Sequence, residues 1–227
     1  MNISNYKKYI SAETMMGPNC VRLLGELFDK YPLQLTSEDL VLDLGCGTGL
    51  TSLVIAKETG AKVYANDLWV SAEENGKRFA EWGIYGQVTP ICEDANNLHF
   101  NERQFNALVS IDSYHYFAGE QGFFQEKILP FMKDGGVILI GIPGLKDEYS
   151  GRSEELLSDW LGKETYMFKS PKLWKSLLAA MTELNQWQHG KWLALKKHGM
   201  SGLQLIMSMQ TATGNTLKRL SSLILAF

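Results

Sequence analysis

Residues Val41 to Leu50 read VLDLGCGTGL. An apolar run of Val41, Leu42 and Leu44 stops at three glycines in alternate positions, Gly45, Gly47 and Gly49, and a new apolar-periodic segment follows at once. That order predicts a buried strand turning sharply into a helix. Glycine suits such a turn because the backbone can take dihedrals that a β-carbon forbids, and because a ligand can approach bare main chain.

Dinucleotide dehydrogenases use a similar turn with the spacing G-x-G-x-x-G. Here the spacing is G-x-G-x-G, and the third, helix-packing glycine is missing from its usual place. Three acidic residues narrow the reading further. Asp43 lies inside the strand, two positions before Gly45, and Asp67 ends the next predicted strand, AKVYAND. A carboxylate about 20 residues beyond such glycines accepts ribose hydroxyls in nucleoside-binding α/β folds. Asp94 closes a third predicted strand, QVTPICED, at the same edge of the sheet, where an adenine amino group needs an acceptor. Any one of these acids alone reads as a helix cap. Three at the ends of three successive strands fit a single nucleoside better.

Outward from this centre, strands and helices alternate. Helices are predicted over 51–59, 71–82 and 120–132, and further strands over 105–112 and 137–143, which implies right-handed crossovers and a parallel sheet covered on both faces. Ahead of the first strand, residues 14–30 turn at Gly17-Pro18 and continue as an amphipathic helix with Val21, Leu24, Leu27 and Phe28 on one stripe. Met15, Met16 and Asn19 at its start are candidates to line a pocket, with ordinary packing the alternative. Beyond residue 143 the pattern weakens. A short helix is expected at 154–161 and another from Ser170-Pro171 through Ala180, then a strand at 181–187, a mostly helical stretch at 191–209 and a last strand at 220–227.

The chain has 227 residues, 45% hydrophobic and 21% charged, which fits one soluble α/β domain. Three cysteines, Cys20, Cys46 and Cys92, lack metal-ligand spacing and cannot all pair, so a reducing, cytoplasmic setting without a metal is expected. The opening MNISNYKKYISAE has no signal-peptide core, and no later stretch reaches membrane-spanning length, so neither secretion nor membrane insertion is expected. A net charge of -3 argues against nucleic-acid binding. None of the 25 acids but five of the 22 basic residues follow Glu183, leaving -8 in the first 183 residues and +5 after them. This reads as a solvated basic face or, alternatively, a mouth that attracts anions.

The segments VLDLGCGTG, YANDLW, CEDA, SIDSYHYF and LPFMKDGGVILIGIPG resemble class I S-adenosylmethionine-dependent methyltransferases over roughly residues 35 to 145. Within them the chain looks most like the small-molecule branch that includes ubiquinone/menaquinone-biosynthesis and sarcosine/dimethylglycine-type enzymes. The resemblance implies a Rossmann-like, doubly wound, mostly parallel seven-stranded sheet with helices on both faces and a small substrate cover. It implies one methyltransferase domain over 1–227, with an N-terminal helical cover (1–34), a cofactor core (35–143), a substrate-cover insertion (144–180) and C-terminal strands and helix (181–227).

It also implies roles. Gly45, Gly47 and Gly49 pass under the methionine part of S-adenosyl-L-methionine, and Asp43 serves its amino group directly or through water. Asp67 holds the ribose, Leu68 and Trp69 flank the adenine, and Asp94 with the Ala95 amide reads its edge. Ile111 and Asp112 approach the methionine end. Asn106 departs from the family pattern, which has Asp after the Phe, but lies far from the expected site.

A sulfonium is an excellent leaving group, so the protein has mainly to align a nucleophile with the methyl carbon and exclude water. A protonated acceptor still needs a base. His115, just past the fourth strand, is the candidate, with Tyr116 beside it and Tyr114 as a substrate contact; a histidine that merely packs is the alternative. Aromatic residues Tyr149, Trp160, Tyr166, Phe168 and Trp174 follow the fifth strand; ordinary packing is the reading for most of them, and any that line the pocket suggest an aromatic, quinone-like or quaternary-ammonium acceptor. The partner expected is a small-molecule acceptor, with the protein a monomer or homodimer. Two rival readings stand beside the methyltransferase: a non-catalytic S-adenosylmethionine-binding or interaction protein, and an NAD-dependent oxidoreductase.

Overall fold

The computed structural model describes residues 1–179, 192–196 and 204–212. Its centre is a parallel sheet of β1 (Leu40–Leu44), β2 (Lys62–Asn66), β3 (Val88–Ile91), β4 (Phe105–Ile111) and β5 (Met132–Leu145), in the order β3-β2-β1-β4-β5. Alternate residues along these strands feed two separate cores. Val41, Val63, Ala65, Ala107, Val109 and Leu139 belong to one apolar cluster, and Leu42, Leu44, Leu108, Ile138 and Ile140 to the other. Side chains of a strand point to opposite faces in turn, so both faces are covered, as near-continuous apolar strands require.

The first face is covered by α1 (Cys20–Lys30) and α2 (Leu50–Thr59). The predicted stripe of α1 is buried at Val21, Leu24, Leu27 and Phe28. Helix α2 is buried without interruption from Leu50 to Ala56, which explains its lack of amphipathic contrast. On α3 (Ala72–Glu81), Ser71 and Glu74 form a capping box that satisfies amides of the first turn. The second face packs against the one-turn helix α4 (Tyr114–Phe117) and α6 (Pro171–Ala179), whose Trp174 is fully buried. Between β5 and α6 lie α5 (Ser153–Leu161) and a 3-10 stretch, Gly162–Met167. Among the described residues no helix is long and apolar enough to cross a membrane.

Two expectations are corrected. In place of a helix over 120–132 there is a π-helical turn at Phe124–Ile128 and a 3-10 turn at Leu129–Phe131. Pro130 falls inside that stretch, and its missing N–H and ring stop regular helix. Strand β5 consequently starts at Met132: while β4 advances from Phe105 to Ala107, β5 advances from Met132 to Val137, bulging at Lys133–Gly136. The stretch at 191–209 is not mostly helical either. It contains β6 (Trp192–Lys196) and the start of β7 (Gln204–Ala212), with β7 parallel to β5 and β6 antiparallel to β7. Short apolar runs suit strand and helix alike, and in the sequence Gly199 and Gly202 separate the two runs here. The strands expected at 181–187 and 220–227 lie outside the described residues, as does most of the basic C-terminal segment.

Asn106 has a structural place. Its Oδ1 accepts from the Leu40 amide at 3.1 Å and from Lys133 Nζ at 2.9 Å, tying β1 to the bulge of β5 at the end of the sheet opposite the glycine turn.

Candidate functional site

The carboxyl ends of β1, β2, β3 and β4 converge on two adjoining cavities, of about 510 and 100 Å³, which share Gly45, Asp67, Trp69, Ser113 and Tyr116 as walls. In an open α/β sheet this is where ligands bind. The glycine turn forms the floor. Gly45, Gly47 and Gly49 have φ of +74°, +55° and +85°, the left-handed region that side chains avoid. A β-carbon on Gly49 would come within 2.2 Å of Phe79 Cε1, so this glycine also lets α3 pack against the turn.

Asp67 locks the turn to the end of β2. Its Oδ2 accepts from the Gly47 amide at 2.7 Å, and its Oδ1 accepts from Trp69 and Val70 amides at 2.8 and 3.0 Å. The Asn66 carbonyl accepts from the Gly45 and Cys46 amides, and the Asn66 side chain exchanges hydrogen bonds with the Glu93 backbone, joining β2 to the exit of β3. Asn75 Nδ2 donates to the Gly47 carbonyl at 2.9 Å. The turn is thus held by the chain's own hydrogen bonds.

Asp43 lies beneath it, 1% exposed. Its Oδ2 accepts from Thr51 and Ser52 hydroxyls at 2.6 Å each, while its buried Oδ1 has no hydrogen-bond partner among the described residues. Burial pushes this carboxyl up to about 6, against the opposing pull of those two hydroxyls. An acceptor left bare in the interior is costly unless something fills it.

Leu68, Trp69, Asp94 and Ala95 all line the larger cavity, Leu68 and Trp69 with more than half of their surface exposed. Asp94 Oδ1 accepts from the amide and side chain of Asn96, which aims the carboxylate across the cavity mouth. Ile111, Asp112 and Met16 line the smaller cavity. Asp112 has φ +57°, and its amide donates to the Gly141 carbonyl of β5 at 2.6 Å. Burial pushes its carboxyl up to about 7.

Several expected contacts are not brought together. His115 is 2% exposed and lines neither cavity; its ring packs on Tyr116 and Phe168, and its Nδ1 has no partner. Burial, helped by Lys169, pulls it down to about 4, so it is neutral and weakly basic near pH 7. The α4 turn that carries it buries it against Phe168 while Tyr116, the next residue, reaches both cavities. Tyr114 is likewise buried among Phe117, Phe123 and Trp174. Asn19 caps α1 by accepting from the Arg22 amide, and Met15 packs against the first core. Of the later aromatic residues, Tyr166 lines the larger cavity, whereas Trp174 is wholly buried.

Sequence reading passed over Asn66, Glu93 and Ser113, which shape the same walls. Ser113 Oγ donates to the Leu44 carbonyl at 2.8 Å and sits within 2.8 Å of Ser110 Oγ. Their signal was adjacency: each stands next to an acid already singled out.

Residues 41–136 match a family described as a methyltransferase domain. The chain is similar to the sterol 24-C-methyltransferase of Eremothecium gossypii, 32% identical over 110 residues that make up 47% of this chain and 28% of that protein. Fewer than a third of that relative's residues are therefore represented. Among solved structures, the YjhP protein of Escherichia coli aligns with TM-score 0.59 and 17% identity over 99% of this chain and 80% of its own. A geranyl diphosphate C-methyltransferase from Streptomyces coelicolor A3(2) aligns with TM-score 0.57 and 15% identity, over 82% and 72% of the two chains. At these identities the structural likeness is one of fold.

Proposed function

We infer that this chain is a class I methyltransferase, a reading that its fold and the match of residues 41–136 support, and that it transfers a methyl group from S-adenosyl-L-methionine to a small-molecule nucleophile. The observation that carries the reading is the glycine turn with Asp43 below it, Asp67 beside it and Asp94 across the cavity, all at the carboxyl edge of one parallel sheet. The residues fit the cofactor: the turn offers bare backbone, and the unpartnered Asp43 Oδ1 is a ready acceptor for an ammonium or a bridging water.

Position supports the following roles. Gly45, Gly47 and Gly49 lie under the methionine part. Asp67, already oriented by three amides, accepts the ribose hydroxyls with its remaining lone pairs. Leu68 and Trp69 flank the adenine, and Asp94 with the Ala95 amide reads its edge. Ile111 and Asp112 reach the methionine end. When bound, the cofactor supplies a methyl on a positively charged sulfur, so the chain's own work is to orient the acceptor and exclude water. Tyr116 and Met16, which line the smaller cavity, are the walls against which an acceptor would rest.

The reading extends to a single domain with a seven-stranded sheet completed by β7 and β6 beyond β5, residues 144–180 as the acceptor cover, and a cytoplasmic monomer or homodimer that binds no nucleic acid. Incubation with methyl-labelled S-adenosyl-L-methionine and a metabolite extract tests it. Label should pass to a small molecule in a protein-dependent way. Cofactor binding without transfer from any extract would favour a non-catalytic binder, and a nicotinamide absorbance change would favour a dehydrogenase.

A further inference from the structure

Two carboxylates near the methionine end are without a complete set of partners, and they come from different strands. Asp43 is sealed under the glycine turn with one bare oxygen. Asp112 lines the smaller cavity, and its carboxylate has neither a hydrogen bond nor an ion pair among the described residues. Asp67, by contrast, is engaged by three amides.

Asp112 is held in place by more than chance. Its left-handed backbone is uncommon outside glycine, and such conformations persist where the surroundings enforce them. Its amide is pinned to the Gly141 carbonyl, and the Gly17-Pro18 turn closes over its side chain, so that a β-carbon on Gly17 would lie 2.9 Å from Asp112 Oδ2. One helical turn on, Tyr116 lines the same cavity with 41% of its surface exposed, backed edge-on by Trp69 at 5.4 Å between ring centres. Met16 supplies an apolar wall. A carboxylate beside a partly exposed aromatic ring is the chemistry that recognises a cation.

We propose that Asp112 and the ring of Tyr116 form an acceptor subsite for an amine or quaternary-ammonium group, separate from the Asp43 position that serves the cofactor's own ammonium. The proposal rests on the methyltransferase reading. With a protonated amine acceptor, Asp112 would also take one proton, which leaves the nitrogen lone pair free to form the N–C bond as the C–S bond breaks and its electron pair goes to sulfur.

Choline and its neutral isostere 3,3-dimethylbutan-1-ol serve as probes in calorimetric titrations of the full chain, with and without saturating S-adenosylhomocysteine. Choline should bind at least about tenfold more tightly than the isostere, a difference of about 1.4 kcal/mol. Asp112→Asn keeps the shape and tolerates the same backbone, and should bring the two probes to parity. Tyr116→Leu should lower choline affinity and leave the isostere unchanged. Equal binding of both probes to the wild type would overturn the proposal. So would a preference for choline that persists in Asp112→Asn. Should the wild type bind no S-adenosylhomocysteine, the methyltransferase reading fails, and the choline comparison made without it still decides the role of Asp112.

Discussion

The two rims of the site differ in how their polar groups are satisfied. On the rim formed by β1, β2 and the glycine turn, Asp67 accepts three amides, Asn66 clamps Glu93, and the Leu44 carbonyl takes two serine hydroxyls. On the rim formed by the end of β4, the Asp112 carboxylate has no hydrogen bond or ion pair among the described residues and sits on a left-handed backbone, and Tyr116 is open to solvent. The first rim is preorganised: its geometry is fixed by hydrogen bonds within the chain itself, which is how a protein limits reorganisation on binding. The second holds unused bonding capacity. The lesson is that a site can be rigid where its ligand is invariant and unfinished where recognition is still to be made.

The largest effect should come from breaking the preorganised rim. Gly49→Ala forces a β-carbon into Phe79, which is fully buried and has no room to move, at a left-handed position. Strain and overpacking together should cost on the order of 3 kcal/mol, read as a fall in the urea midpoint. An unchanged midpoint would mean that the turn is looser than its geometry.

Next comes the one strained group beneath that rim. Asp43 is an acid whose folded value, about 6, lies above its ordinary one of 3.8, so ionising it opposes folding. The penalty is absent below about pH 4, grows through the interval between the two values, and is complete above about pH 6. Asp43→Asn keeps an acceptor for Thr51 and Ser52 and should stabilise the protein by about 2 kcal/mol at pH 7. That gain should vanish toward pH 4 and be accompanied by weaker cofactor binding. A pH-independent gain would point to packing instead.

A smaller effect separates the second rim from the first. Asp112 protonates at about 7, and the titratable groups facing it are Tyr116 and Cys20, the latter held neutral by burial, which pushes it up to about 12. Choline affinity should therefore fall by up to about tenfold between pH 7.5 and 6, as the carboxylate loses its charge. A flat profile would remove charge from the subsite. Least of all, Tyr114→Phe should change stability by less than about 1 kcal/mol in either direction, because the buried hydroxyl has no partner to lose. A larger loss in thermal denaturation would reveal a partner for it.

Much of this was legible in the chain. VLDLGCGTGL gave strand, turn and helix at their observed places, because a buried run ending in alternate glycines has few other solutions. Asp67 and Asp94 were found at one sheet edge because parallel strands bring their carboxyl ends together. The side chains of α4 were not legible. In a four-residue turn, the choice between core and cavity for Tyr114, His115 and Tyr116 depends on how α6 and Trp174 pack, and sequence spacing carries none of that. The π-helical turn at Phe124–Ile128 and the early start of β5 escaped for a similar reason. A bulge is set by register against β4, over and above local preference. Beyond residue 191, short apolar runs left helix and strand equally open, and strand pairing beside β5 decided it.

The most direct measurement is a calorimetric titration of S-adenosylhomocysteine into the wild type and into Asp67→Ala, with circular dichroism to verify that both are folded. The account predicts saturable one-to-one binding to the wild type. It predicts affinity at least about a hundredfold weaker in the variant, about 2.7 kcal/mol, since on the proposed reading Asp67 would receive the ribose, and it also holds the Gly47 amide. A folded wild type that binds nothing, or a variant that binds as well as the wild type, would contradict it.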